Sequence, residues 1–188
     1  MLDWFKNIGK DYPEFWKNYI IQFETPTERK VVLYLETTGI NPAKDKIISI
    51  GAIAIENNQI RLENSLEIEL NKSEVVQSKN LGYENIQAIE SLINFIGNAT
   101  LVGHRINYDI EIINEYLSKI QSGRLKNDLF DVEVMHTKII DQNSKQFSLV
   151  ELLSIYKIDY PQIITSANIS FSIALLFLKL KSRLKMSY

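Results

Sequence analysis

The acid Glu36 closes a short apolar run, Val31-Val32-Leu33-Tyr34-Leu35, and is followed by Thr37-Thr38-Gly39. Such a run bounded by glycine reads as a strand buried on both faces and ending in a turn. A carboxylate at its mouth is either a site residue or a solvated strand end; burying its charge unpaired would be costly. Thiolate chemistry is excluded, because the chain has no cysteine. A basic cluster, Lys179, Lys181, Arg183 and Lys185, ends the chain's last apolar-periodic segment. It suits a solvated helix terminus, where the dipole favours cations; a nucleic-acid contact is the rival reading.

The elements around Glu36 follow from periodicity. Residues 30–35 form a first strand. Lys46 to Ile55, with Ile47, Ile48, Ile50, Ile53 and Ile55, form a second. Asn57-Asn58 is a tight turn. Ile60, Leu62, Leu66, Ile68 and Leu70 alternate with polar residues as a half-exposed edge strand does. Ile86, Ile89, Ile93 and Ile96 then recur at helical spacing, giving a helix over about 84–97. Thr100–Gly103 is a short strand, and Ile110, Ile113, Leu117 and Ile120 mark a helix over about 107–121. Leu129–Asp131 is a fifth strand, followed by helices over about 132–140 and from Phe147 to Tyr156. Ala167, Phe171, Ala174, Leu175 and Leu178 mark a long final helix. Strands first, then strands alternating with helices, predict an α/β fold: a mixed five-stranded sheet flanked by helices, with Val31–Leu35 central and the 59–70 strand at an edge.

With 188 residues and 45% hydrophobic content, the chain can bury a full core. A net charge of −2 excludes a strongly basic module without excluding a local groove. The amino terminus lacks the basic start and apolar run of a signal peptide, and no apolar run approaches the ~20 residues that span a bilayer. A soluble, cytoplasmic protein without membrane contact is therefore expected. Residues 1–28 read as an aromatic helical extension, and 29–188 as the main domain. Trp4, Phe5, Ile8 and Tyr12 precede Pro13; Phe15, Trp16, Tyr19, Ile20 and Phe23 follow it at helical spacing. Such a helix either caps the core, the favoured reading, or docks a protein partner through its aromatics.

The order strand, E-T-T-G, hairpin, helix, strand, helix resembles the 3′–5′ exonucleases of the DEDD superfamily, of ribonuclease H-like fold, in particular the DEDDh type that includes polymerase proofreading subunits and ribonuclease T. The likeness covers about residues 30–182. The family's D-x-E-T-T-G stands here as Tyr34-Leu35-Glu36-Thr37-Thr38-Gly39, and Ile47-Ile48-Ser49-Ile50-Gly51-Ala52 is similar to its second strand. Its L-V-x-H-N-x-x-F-D stands as Leu101-Val102-Gly103-His104-Arg105-Ile106-Asn107-Tyr108-Asp109.

The resemblance implies a phosphodiester hydrolase in which four carboxylates hold two divalent ions and a histidine five residues before the last aspartate is the base. Only Glu36 and Asp109 remain of the acids, as the implied catalytic and metal-binding remnant. Tyr34 replaces the first aspartate. The last motif falls on Ile164–Ile169 or Thr165–Ser170, and no Asp or Glu follows Asp159 and no His follows His136. Two acids suit at most one Mg²⁺ or Mn²⁺, held weakly, or none. Thr37, Thr38 and Gly39 are implied contacts to a 3′-terminal nucleotide, with His104, Arg105 and Tyr108 alongside. Arg105 is expected to touch phosphate or pair with Glu36 or Asp109; His104 and Asp131 are expected to be structural. Asp128 and His136 have no reason to face the site. Glu74-Val75-Val76-Gln77-Ser78 does not match the family's I-H-G-I-like element. The expected function is an exonuclease-like pseudoenzyme that binds a single-stranded nucleic-acid 3′ end with little or no cleavage. The alternatives are a residually active metal-dependent exonuclease and a protein-interaction module docking through residues 1–28.

Overall fold

A computed structural model describes residues 12–70, 82–141 and 145–185. Trp4, Phe5, Ile8 and the 74–78 segment lie outside these residues. The described elements are α1 (Glu14–Gln22), β1 (Lys30–Thr37), β2 (Ile47–Glu56), β3 (Gln59–Glu69), α2 (Tyr83–Ile96), β4 (Thr100–Gly103), α3 (Ile106–Lys119), β5 (Leu129–Asp131), α4 (Val132–Ile140), α5 (Leu149–Ile155) and α6 (Ser166–Arg183). The sheet runs β3-β2-β1-β4-β5, so β1 is central and β3 lies at an edge, as the apolar patterns predict. β1 pairs antiparallel with β2 and parallel with β4.

Alternation along β1 divides the core. Val31, Leu33 and Leu35 face one layer, with residues from α1, α2 and α3. Val32 faces the other, with residues from α4, α5 and α6, and Tyr34 packs against that layer. β2 is buried from Ile47 to Ile55, which accounts for its near-continuous run of isoleucines. Its one glycine, Gly51, is required by packing: a Cβ there would meet the Ser166 carbonyl oxygen at 2.0 Å, so α6 rests its first turn on β2. Asn57 and Asn58 turn the hairpin with φ of 52° and 60°, the left-handed pair that a two-residue loop needs.

The aromatics of α1 are spent on the core. Trp16 is 2% and Tyr19 1% exposed, and the Tyr19 hydroxyl donates to Asn127 Oδ1 at 2.7 Å. Ile21, on the outer side, is exposed. No helix among the described residues is long and apolar enough to cross a membrane.

Candidate active-site cleft

β1 delivers Tyr34 and Glu36 to one face of the sheet, two residues apart. A register irregularity follows between Glu36 and Thr37, the kind of kink that re-aims a strand end beside a site. Glu36 is exposed and accepts a hydrogen bond from Ser49 Oγ, directly opposite on β2, at 3.2 Å. Asp109 sits in the first turn of α3, half-buried, and accepts from the Leu35 backbone N–H. Burial pushes its carboxyl up to about 8, against the pull of that N–H; the neighbouring Asp131 carboxylate adds to the rise. The Tyr34 phenol is also pushed up, first by burial and then by Tyr160, Asp109 and Glu36. The Tyr34 phenol thus lies within electrostatic reach of both Glu36 and Asp109 at the end of the sheet. Asp131 joins them because it ends β5 in register with Gly103 of β4.

The threonine turn is organised by Asp45. Its Oδ1 accepts from Thr38 Oγ1 at 2.9 Å and its Oδ2 from the Asn41 N–H at 2.7 Å. The Thr38 N–H is taken by the Lys46 carbonyl at 2.9 Å, and Thr37 Oγ1 donates to the Gly39 carbonyl at 2.6 Å. Gly39 is needed for space: a Cβ would lie 2.6 Å from Asp45 Oδ2, and its backbone does not take a positive φ.

One arm of the Arg105 expectation, the pairing with Glu36 or Asp109, is not met: the Arg105 Nε donates to Glu133 Oε2 at 2.8 Å. Glu133 Oε1 accepts from the Phe147 N–H at 2.5 Å, and His104 Nε2 lies 2.8 Å from the Phe147 carbonyl oxygen. Burial pushes Glu133 up, but the Arg105 and Phe147 donors outweigh it and hold its carboxyl below the usual range. The Phe147 carbonyl is therefore latched to the second motif directly, and its N–H through Glu133, the partner of Arg105. Arg105 adopts φ 52° and ψ 40°, unusual for its type, immediately before α3. Tyr108 is exposed in the first turn of that helix. Asp128 is exposed, and His136 is buried with Nδ1 2.9 Å from the Tyr156 hydroxyl oxygen.

Both candidate stretches for the last motif lie at the start of α6. Thr165 caps the helix, accepting from the Asn168 N–H at 3.2 Å. Ser170 is fully buried, its hydroxyl donating to the Ala167 carbonyl at 2.8 Å. Glu133, Ser49, Asp45 and Tyr160 escape sequence reasoning, since each acts through a partner far along the chain or on a loop.

The family described as Exonuclease (RNase_T) matches residues 31–162. The chain belongs to the exonuclease family. It is 30% identical over 173 residues to the "3'-5' exonuclease DinG" of Bacillus subtilis, covering 84% of this chain and 18% of that protein. It is 26% identical over 178 residues to the "DNA polymerase III PolC-type" of Thermotoga petrophila, covering 89% of this chain and 13% of the relative. The chain thus spans under a fifth of these relatives. Escherichia coli exonuclease I, solved in complex with a dT13 oligonucleotide, has the same fold, with a TM-score of 0.63 at 12% identity over 85% of this chain and 42% of the other.

Exonuclease-family proteins generally use divalent ions, and the residues here can be tested for them. Among the described residues, no group of three or more His, Cys, Asp or Glu side chains is placed to hold a metal. Burial works against ionisation of Asp109, and the Tyr34 phenol stands beside it at the end of the sheet. Among the described residues, this donor set falls short of the several ionised oxygens around each Mg²⁺ that a two-ion clamp needs.

Proposed function

We propose that this exonuclease-family domain engages the 3′ end of a single-stranded nucleic acid and hydrolyses it at a trace level or not at all. The observation that carries this is Tyr34: its half-buried phenol occupies the first acid's place beside Glu36 and Asp109, while α6 brings no acid of its own. Glu36 and Asp109 are left to hold one Mg²⁺ or Mn²⁺ weakly, or none. The turn of Thr37, Thr38 and Gly39 supports retained binding, since its internal hydrogen bonds keep it shaped. Tyr108 supplies an exposed ring of the type on which single-stranded bases stack.

The test is degradation of 5′-labelled single-stranded DNA and RNA in Mg²⁺ and Mn²⁺, beside a Glu36→Ala control. Trace cleavage that persists in the control is the expected result. Turnover of about 1 s⁻¹ or faster, abolished in Glu36→Ala, overturns it and leaves the chain an active nuclease. Anisotropy with the same oligonucleotides checks binding separately.

A further inference from the structure

A second concavity lies away from the carboxylates, along the outer flank of α6. It is a groove of about 500 Å³ between the loop after α5 and one stripe of α6. Ile158, Pro161, Phe171 and Leu175 form its floor, and Lys157 and Lys179 line it with a single acid, Asp159. A largely apolar cleft with a few placed polar groups is the usual form of a binding site. The loop that leads from it to α6 carries Ile163 and Ile164, 72% and 69% exposed, adjacent residues that the core leaves unused. Asn168 Nδ2 donates to the Ile163 carbonyl at 2.9 Å, so this apolar loop is tied to the groove's own helix.

The cations are held in place. Lys179 Nζ donates to the Tyr156 carbonyl at 2.8 Å, at the end of α5. One turn along α6, the Arg183 guanidinium lies 4.6 Å from the centre of the Tyr156 ring. Two cations of the lining, Lys157 and Lys179, thus meet at one end of the trough, with Arg183 one helical turn beyond, in a chain whose net charge is −2.

We infer that this groove docks a short protein segment combining apolar side chains with adjacent carboxylates. Charge complementarity chooses the occupant: the apolar residues fill the trough and the acids meet the lysines. A nucleic-acid strand fits less well. It wants a track of cations and several stacking rings, whereas here the cations sit at one end and the floor is mainly aliphatic.

The experiment is selection of a random dodecapeptide library on the immobilised full chain, followed by titration of enriched peptides. The variants are Lys157→Glu, at an exposed position, and Leu175→Lys, on the floor. Enriched peptides should place two or more acids beside apolar residues. Lys157→Glu should weaken them at least tenfold, and exchanging their acids for lysine should restore binding to that variant. Amide shifts should fall on 157–161 and 168–179. The inference is overturned if no peptide is enriched, if the enriched peptides lack acids, or if Lys157→Glu and Leu175→Lys leave affinity unchanged. It is equally overturned if a dT oligonucleotide shifts those amides instead, or if they shift with protein concentration alone, which would make the groove a self-association face.

Discussion

Asp109 has an N–H for a partner and another carboxylate, Asp131, as a charged neighbour. In the unfolded chain it ionises near 4, whereas in the fold it keeps its proton up to about 8. Unfolding between those values releases a proton, so this group's contribution to stability is greatest below about pH 4 and falls as pH rises towards 8. Asp109→Asn keeps the acceptor for Leu35 and removes the titration. It should raise stability at pH 7 by about 2 kcal/mol, discounted because the side chain keeps some solvent, and by nothing near pH 4. Urea unfolding at both pH values checks this; a variant less stable at pH 7 would contradict it. Glu133 has the opposite balance. Replacing it with alanine strands Arg105 and the Phe147 N–H, at a cost of about 2–4 kcal/mol. Denaturant midpoints should show that loss, whereas Asp128→Ala, at an exposed site, should change stability by under about 0.5 kcal/mol.

At the scale of elements, α6 lies directly on β2 at Gly51. Gly51→Ala would drive a methyl group into the backbone of Ser166. Backbone cannot step aside as a side-chain end can, so the cost should exceed about 3 kcal/mol, the upper end of ordinary overpacking. Thermal unfolding checks it, and an unchanged midpoint would mean that α6 moves freely. The elements themselves were legible because their signals are local. β-Branched runs without polar interruption name β2, alternation names β3, and isoleucines at helical spacing name α2 and α3. The site was legible only in part. Glu36 and Asp109 announce themselves by their motifs. Glu133 is an ordinary acid in the first turn of a helix, and nothing nearby says that it answers Arg105, 28 positions earlier. The role of Asp45 in the threonine turn was hidden for the same reason, since hydrophobic periodicity carries no information about which polar groups meet.

For the molecule as a whole, α1 and the sheet share one apolar layer. The aromatic segment can be read as an appendage, as its composition suggests, yet the Trp16 ring lies so close to Gly123 that an added Cβ there would be 2.9 Å from it. Trp16→Ala should therefore destabilise the entire domain by about 3–5 kcal/mol. It should do so in one cooperative transition, with near- and far-ultraviolet circular dichroism moving together. A separate early transition would instead make residues 12–28 an independent unit.

The central position of β1 also sets an order of events during synthesis. Its antiparallel neighbour β2 follows within a few residues, but its parallel neighbour β4 is made only after β3 and α2. Ribosomes add roughly 5–20 residues per second, so one edge of the strand bearing Tyr34 and Glu36 stays open for several seconds on every nascent chain. During that interval Val31–Leu35 offers unpaired amides and an apolar ladder to any passing strand. The segment that anchors the cleft is thus the one most in need of a chaperone at birth, and slowing translation between residues 37 and 100 should lower the soluble yield more than the same pause placed after residue 103.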